Sequence, residues 1–365
     1  MWKRPGSGRL RSTTSDIPFW NVKGSGMTAA IQGASTTPRE DPSAVAFAKA
    51  QETLPATQSV AVEVVALGET MVLFWPAHGG SLELATYYER SCGGAESNFC
   101  IALARLDHRP RWISRLGDDA FGRYIRTTLE REGVQVAAPA HATAPTAVFF
   151  KERVAAGRRR VLYYRRGSAA SRLAPDDLRP DHFIGARVLH VTGITPALSA
   201  SCAAAVEQAL VLARAAGALV SVDPNVRPQL WPTAQACRET LCALVARADL
   251  VLLGHEDAEV LYPGLSEDAV IGAVRAGGAA TVVLKLGERG AVAVHDGAWA
   301  RVAAHPVAVV DTVGAGDGFD AGFVAGWLRG FPLPRCLALA ARIGAAAVAV
   351  AGDWEGYPTA REVEL

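Results

Sequence analysis

The sequence lacks an excess of charge of either sign. Its 37 Lys and Arg residues are balanced by 36 Asp and Glu residues, which gives a formal net charge of +1. A chain so balanced has no overall field that would draw it to nucleic acid or to an anionic membrane surface. Uncharged apolar runs of about 18 residues, the length needed to cross a membrane, are also missing. We therefore expect neither a nucleic-acid partner nor a membrane partner.

Cysteine is sparse and follows no recognisable pattern. The six cysteines never form Cys-x-x-Cys, and no histidine stands at zinc-finger spacing from them. A chain of 365 residues with 50% hydrophobic residues can bury a core without disulfide bonds. We expect a reduced, cytoplasmic protein.

The composition changes near residue 60. Residues 1–60 contain Gly, Ser, Thr and Pro clusters with scattered charges and no sustained apolar period. Such a segment cannot bury enough apolar surface to offset the entropy lost on ordering. The sequence therefore predicts a disordered N-terminal tail over residues 1–60 and a folded domain over residues 61–365.

Within the folded domain, short apolar runs alternate with longer amphipathic stretches. We predict strands at residues 62–67, 112–114, 188–191, 219–222, 250–253 and 281–284, and helices at 95–106, 119–132, 203–216 and 235–246. This alternation is typical of an α/β protein with a mostly parallel central sheet flanked by helices. Residues 74–91 and 145–166 carry aromatics and charges in short alternating pieces. They predict a small antiparallel sheet that forms a lid beside the main sheet.

The strongest motif lies near the C-terminus. Residues 311–319 (DTVGAGDGF) follow an apolar run at 307–310 and precede a helical pattern that continues to Leu328. We interpret the region as a strand, a glycine loop and a helix start, where backbone amides and the helix dipole bind an anion. Asp317 would repel a phosphate but could accept a proton from an alcohol attacking that phosphate, so it is the candidate base. The alternative is that the glycines shape a tight turn and Asp317 caps the helix.

The nine-residue string resembles the second signature of the ribokinase-like, or PfkB, carbohydrate kinases. Residues 92–98 (CGGAESN) and 115–119 (RLGDD), followed by Gly122, resemble the N-terminal signature region of that family. The likeness extends over roughly residues 62–356. It implies a ribokinase-like α/β fold with a small β lid over the sugar, and it implies ATP and Mg²⁺.

Three further segments resemble the branch of the family that phosphorylates 2-keto-3-deoxygluconate at its terminal (6-) hydroxyl: residues 161–171, 190–199 and 223–231. By this resemblance the substrate contacts are Gly93, Gly94, Asn98, Tyr163, Arg165, Arg227, Asp317 and Asp353. A sugar acid needs a cation, and a guanidinium fork matches a carboxylate, which favours a role for Arg165. The alternatives are that Arg165 and Arg166 form a solvated strand pair, that Tyr163 or Tyr164 is a core residue, and that Gly93 and Gly94 form a plain turn with Asn98 capping or solvated.

The nucleotide end follows from the same resemblance. Residues 285–290 (KLGERG) resemble the nucleotide loop of the family, although an ordinary β-turn would look similar. The implied ATP contacts are Asn225, Lys285, Gly287, Gly290, Gly314 and Gly316. Amides around Gly314, Ala315 and Gly316, together with Arg227, are expected to hold the charge on the transferring phosphoryl group.

One stretch departs from the family pattern. Many family members carry Asn-x-x-Glu near the magnesium site, whereas residues 254–257 here read GHED. Asp257 keeps a carboxylate, and we expect it to hold Mg²⁺ through water. Glu256 is equally consistent with a surface helix position.

Two other functions stay open at this point. The first is another sugar kinase of the family, of the fructokinase or ribokinase type. The second is a catalytically silent sugar-binding regulator, against which the intact glycine loop and Asp317 argue. An apolar lid also leads us to expect a homo-oligomer that pairs through the lid.

Overall fold

The computed structural model describes residues 61–153 and 159–365. The predicted tail at residues 1–60 lies outside the described residues, as does the part of the predicted lid at 154–158. The strands are β1 (Val64–Leu67), β2 (Met71–Pro76), β3 (Tyr88–Gly93), β4 (Pro110–Ile113), β5 (Leu116–Gly117), β6 (Gln135–Ala137), β7 (Ala140–His141), β8 (Val148–Arg153), β9 (Arg159–Tyr164), β10 (Val188–Thr192), β11 (Leu219–Asp223), β12 (Leu250–Gly254), β13 (Thr281–Lys285), β14 (Ala291–His295) and β15 (Ala298–Val302). The helices are α1 (Ala95–Arg105), α2 (Ala120–Arg131), α3 (Ile194–Leu198), α4 (Ala200–Ala215), α5 (Ala234–Val245), α6 (His255–Leu261), α7 (Glu267–Ala276), α8 (Ala315–Leu328) and α9 (Leu333–Val348).

The large sheet has nine strands in the order β15-β14-β13-β12-β11-β10-β1-β4-β6. The strands β13, β12, β11, β10, β1, β4 and β6 are parallel to one another. Strands β14 and β15 extend the sheet beyond β13 with antiparallel pairing. Six of the seven strands predicted outside the lid are part of this sheet, so the prediction of a mostly parallel central sheet is confirmed.

Both faces of the large sheet are covered by helices. In β1 the alternating side chains divide between the two sides, with Val65 and Leu67 in one core and Val64 and Ala66 in the other. Helices α4, α5, α6 and α7 pack on the first side, and α1, α2, α8 and α9 pack on the second. Strands buried on both faces read as continuous apolar runs, which is why these elements could be predicted from the sequence.

A second sheet forms the lid, with four strands in the order β3-β2-β8-β9. The prediction of an antiparallel lid is wrong in one pairing: β2 pairs with β3 antiparallel, but β2 and β8 run parallel. The cause is connectivity, because β2 and β8 are joined through the main domain and not by a hairpin.

Near the edge of the large sheet one predicted strand is wrong and one hairpin was not predicted. Residues 307–310 do not form a strand; Val307 and Val309 are exposed, and the amides of Val310 and Asp311 both donate to the carbonyl of Val348. The hairpin β14–β15 was not predicted, although its turn residues carry a signal. Asp296 and Gly297 have positive φ (47° and 85°), as a two-residue Asp-Gly hairpin turn requires.

None of the helices in the described ranges is both long and apolar enough to cross a membrane.

Candidate active site

The carboxyl ends of β1, β10, β11, β12 and β13 meet at one edge of the large sheet, where open α/β sheets bind their ligands. They open into a cleft of about 510 Å³, one wall of which belongs to the lid. Nearly all of the predicted site residues line this cleft: Gly93, Gly94, Asn98, Tyr163, Arg165, Asn225, Arg227, Asp257, Lys285, Gly287, Gly314, Gly316, Asp317 and Asp353.

Asp317 lies in the first turn of α8 and faces the cleft. The interpretation of Asp317 as a helix cap is wrong, because the N-cap position belongs to Gly314 and no side chain caps this helix. Burial raises the pKa of Asp317 to about 7. The carboxylates of Asp223 and Asp353 act in the same direction. A carboxyl with a pKa near neutrality is matched to proton transfer at physiological pH.

Asn98 connects the start of α1 with the start of α8. Its Nδ2 donates to Oδ2 of Asp317 at 2.8 Å, and its Oδ1 accepts from the amide of Gly94 at 3.3 Å. Asn98 is buried, so it does not lie in solvent, and it stands within α1, whose N-cap position belongs to Gly94. The bond orients the Asp317 carboxylate and leaves its second oxygen available to the cleft.

The glycine loop requires glycine at its first position. Gly314 has a left-handed backbone (φ 81°), and a Cβ there would lie 1.7 Å from the carbonyl oxygen of Asp353. The hydroxyl of Tyr357 donates to the Gly314 carbonyl at 2.6 Å and so fixes the loop from beneath. The first amides of α8, from Ala315 onward, have no partner within their own helix. Such amides can bind an anion, and the anion site at this helix start stays a prediction.

Arg227 is a cation without a carboxylate partner among the residues that the structure describes. Its one hydrogen bond of note runs from Nη1 to the carbonyl of Val226 at 3.0 Å. The side chain is exposed and lines the cleft, and its charge lowers the pKa of Asp257 and of Asp317. This guanidinium is therefore available to an anion.

Lys285 is already engaged by two carboxylates. Its Nζ lies 2.9 Å from Asp223 Oδ2 and 2.9 Å from Asp320 Oδ1. Burial would lower the pKa of Lys285, but the two carboxylates raise it above the ordinary value. The ammonium is thus fixed at the floor of the cleft as a counter-ion for two buried acids.

The other predicted nucleotide residues divide into two groups. Gly287 and Asn225 line the cleft, and Asn225 adopts a positive φ of 38°, which asparagine tolerates better than most residues. Gly290 does not line the cleft. A Cβ at Gly290 would lie 1.9 Å from the Val302 carbonyl oxygen, so this glycine is required for packing of the turn against β15.

The described residues contain no cluster of three or more His, Cys, Asp or Glu side chains able to hold a metal by themselves. Asp223 and Asp257 do line the cleft together. Burial and the Asp223 carboxylate raise the pKa of Asp257 to about 6, a repulsion that a divalent cation would relieve. One or two carboxylates with water and substrate phosphates are the usual ligands of Mg²⁺, so this pair fits that ion.

The lid wall carries Arg165, but not as a free cation. Its Nε and Nη2 lie 2.7 and 2.6 Å from Oε2 of Glu69, whose side chain is fully buried and also accepts from Ser168. No hydrogen bond within the described residues involves Nη1 of Arg165. The pair therefore fixes the guanidinium in place and lowers the net positive charge that the lid presents to the cleft.

The aromatic side chains of the lid alternate as strand geometry requires. Tyr163 stacks on Phe149 with ring centroids 5.7 Å apart on the cleft side, whereas Tyr164 packs against Phe150 on the other face. Arg166 is exposed and does not line the cleft.

Sequence reasoning missed several residues of the site. Glu69, Glu96 and Phe149 line the cleft, and Lys151 contacts Asp353 from the lid. Glu96 is buried and accepts from the hydroxyls of Thr192 and Thr195. The sequence signal for Glu69 was a charge between two apolar runs, whereas Lys151 begins a charged Lys-Glu-Arg run and carried no such signal.

Comparison with known proteins agrees with this geometry. Residues 62–360 match the model of the family described as pfkB family carbohydrate kinase. The chain is 36% identical to a 2-dehydro-3-deoxygluconokinase of Bacillus subtilis (strain 168) over 301 residues, which covers 82% of this chain and 93% of that protein. It is 37% identical to a 2-dehydro-3-deoxygluconokinase of Thermoproteus tenax over 307 residues, with 83% and 93% coverage.

A solved structure shows the same fold. The crystal structure of a PfkB protein from Polaromonas sp. JS666 superposes with a TM-score of 0.76 at 38% identity, covering 83% of this chain and 99% of that chain. The chain belongs to the pfkB family of carbohydrate kinases. Its activity is accordingly that of an ATP-dependent sugar kinase.

Proposed function

We propose that the protein transfers the γ-phosphoryl group of ATP to the terminal, 6-hydroxyl group of 2-keto-3-deoxygluconate. The main support is that a single cleft contains both Asp317, whose pKa is raised to about 7, and the backbone amides at the start of α8. The kinases of Bacillus subtilis and Thermoproteus tenax, named for this substrate, are more than one third identical to the chain and support the choice of acceptor.

In the proposed reaction the Asp317 carboxylate takes the proton of the acceptor hydroxyl as that oxygen bonds to the γ-phosphorus. The bond from phosphorus to the β–γ bridging oxygen breaks, and ADP leaves with the electron pair. The amides of Ala315 and Gly316 and the Arg227 guanidinium stabilise the negative charge on the transferring group. Most of the acceleration comes from positioning these groups around the two reactants.

Magnesium is part of the proposal. Asp257, with Asp223 beside it, would hold Mg²⁺ through water. When bound, the ion neutralises charge on the ATP phosphates. The missing Asn of the family pattern is replaced at that position by Gly254, which brings no side chain to the site.

The acidic end of the acceptor is assigned to the lid. Glu69 holds Nε and Nη2 of Arg165, and no hydrogen bond within the described residues engages Nη1, so we assign this donor to the carboxylate of the acceptor. Asn98, Gly94 and Asp353 would contact the acceptor hydroxyls. The stacked Tyr163 and Phe149 rings provide an apolar wall for the carbon chain.

The lid also supports a proposal on assembly. Its outer surface exposes large apolar side chains, among them Leu84 (86% exposed), Tyr87 (70%) and Tyr164 (63%). We expect the lids of two copies to pair, because several large apolar side chains exposed on one small lid are typical of an interface. Light scattering should give a dimer mass for the purified protein and a monomer mass for Tyr164→Lys. A monomeric parent protein would contradict self-association.

The proposed function is tested by coupled ADP release with 2-keto-3-deoxygluconate, 2-keto-3-deoxygalactonate, fructose and ribose compared side by side. We expect the highest kcat/KM with a 2-keto-3-deoxy sugar acid, and ³¹P-coupled NMR of the product should place the phosphate on C6. A preference for fructose or ribose would assign the chain to another sugar kinase of the family. The absence of ADP release with every sugar would favour a silent sugar-binding protein.

A further inference from the structure

Lys151 places a positive charge deep between the lid and the main domain. It lies in β8, and its side chain is 9% exposed. Its Nζ donates to Oδ1 of Asp353 at 2.5 Å, to Oδ2 of Asp311 at 3.3 Å and to the Gly352 carbonyl at 3.3 Å. A buried ammonium requires such a complete set of acceptors.

The partners of Lys151 belong to two walls of the cleft. Asp353 lines the cleft, and its Oδ2 lies so close to Gly93 that a Cβ there would be 2.2 Å away. The Asp353 carbonyl packs against Gly314, and Asp311 begins the glycine loop and accepts from the amide of Val313. Lys151 of the lid therefore contacts both Asp353, which lines the cleft, and Asp311, which begins the glycine loop.

The charge balance explains why a lysine is needed. Asp353 is buried beside Glu355 and Asp311, and burial raises its pKa, as do both neighbouring carboxylates. The Lys151 ammonium acts in the opposite direction and favours the ionised form. Without Lys151, Asp353 would lose its ion-pair partner, and its ionised form would lose the charge that stabilises it.

We propose that Lys151 is a positioning residue for phosphoryl transfer, which holds the Asp353 carboxylate oriented toward the acceptor. The inference rests on the proposed function in one respect, because it takes Asp353 to contact the acceptor sugar. It requires no contact between Lys151 and the substrate.

A double-mutant cycle separates positioning from direct contact. Lys151→Met, Asp353→Asn and the double variant are compared with the parent protein for kcat/KM of the sugar and for the KM of ATP. Each single variant is expected to lower kcat/KM for the sugar roughly 10- to 100-fold, the effect of losing a hydrogen bond to a charged group, with the KM of ATP unchanged. The double variant should match Asp353→Asn within about twofold, because Lys151 acts only through Asp353.

Arg160 of β9 provides a matched control, because it pairs with Glu152, the residue after Lys151 in β8. Arg160 is 62% exposed and forms an ion pair with Glu152 of β8, away from the cleft. Arg160→Met removes a lid cation and leaves the contacts of Asp353 intact, so the activity should stay at the parent value. Lys151→Arg keeps the charge and should recover part of the activity lost in Lys151→Met.

Melting curves identify a variant that fails to fold. If Lys151→Met does not fold, the double variant is decisive when set against Asp353→Asn, since removing both partners leaves no unpaired charge in that bond. A further loss of about tenfold in the double variant, or parent activity in Lys151→Met, would overturn the inference. If the parent protein prefers another sugar, the proposed function fails, and the same cycle run with that sugar still tests Lys151.

Discussion

Apart from Lys285, which is paired with Asp223 and Asp320 at the floor of the cleft, the charged side chains at the two ends of the cleft differ in how they are paired. At the phosphate end, and within the described residues, Arg227 has no carboxylate partner, and the Asp317 carboxylate accepts from the neutral amide of Asn98 and has no cationic partner. At the lid end, Arg165 is paired with Glu69 and Lys151 with Asp353. Charges with no internal partner are available for the reacting groups, whereas paired charges mainly fix geometry.

This difference indicates where rate and where specificity arise. A free guanidinium and a carboxyl with a raised pKa can respond to the charge that develops during transfer. A cation already neutralised by a buried carboxylate contributes orientation and modest attraction. We expect the phosphate end to determine turnover and the lid to determine which sugar is accepted.

The largest effect is expected at the phosphate end from Asp317→Asn. An amide is close in shape but cannot take the proton, so turnover should fall by about 10² to 10⁴, the usual range for loss of a general base. ATP binding, measured by calorimetry, should persist. The control is Asp118→Asn, whose parent side chain is 68% exposed and pairs with Arg123. Near-normal turnover in Asp317→Asn would remove Asp317 from the mechanism.

The second prediction concerns Arg227→Met. Loss of an unpaired guanidinium beside the transferring group should lower kcat by roughly 10- to 100-fold, because hydrogen bonds to charged groups are the stronger kind. The fold should be unaffected, since Arg227 is exposed and forms no ion pair within the described residues. Arg166→Met is the matched control, as Arg166 is exposed and lies outside the cleft. Equal rates for the two variants would show that the phosphate end does not depend on Arg227.

The sequence predicts these two residues better than it predicts the lid. Asp317 is defined by a local pattern, a glycine loop followed by a helix, that requires no knowledge of distant contacts. The pairs at the lid join residues far apart in the chain: Arg165 and Glu69 are 96 positions apart, and Lys151 and Asp353 are 202. A local sequence pattern does not predict which charged residues form an ion pair over such distances in the chain.

The same reason explains the errors in the fold. The parallel strands could be predicted because burial on both faces gives continuous apolar runs. The run at residues 307–310 has the same composition, but Val307 and Val309 are exposed and the run forms no strand. The two kinds of apolar run differ in burial, which composition alone does not predict.

A smaller effect is expected in the dependence on pH. With a folded-state pKa of about 7 for Asp317 against an ordinary value of 3.8, the base is ionised only above neutrality, so kcat/KM should rise with pH through about 7. The folded protein holds this proton more tightly than the unfolded chain, so the contribution of Asp317 to stability falls as pH rises between these values. Asp317→Asn removes that loss.

Melting temperatures of the parent protein and of Asp317→Asn should therefore diverge as pH rises from about 4 to about 7, with the variant the more stable above neutrality. The other buried acids are common to both proteins and cancel in the difference. A constant difference across this range would show that the pKa of Asp317 is not raised by burial.

The most direct test of the account is the ratio of kcat/KM for 2-keto-3-deoxygluconate to kcat/KM for fructose, measured in the parent protein, in Arg165→Met and in Arg166→Met. The ratio cancels any general loss of activity that follows from leaving Glu69 without its partner. We expect the parent protein to prefer the acid. In Arg165→Met the ratio should fall about tenfold, as for loss of one charge-assisted hydrogen bond, and in Arg166→Met it should not change. An unchanged ratio in Arg165→Met, or an equal fall in both variants, would contradict the account.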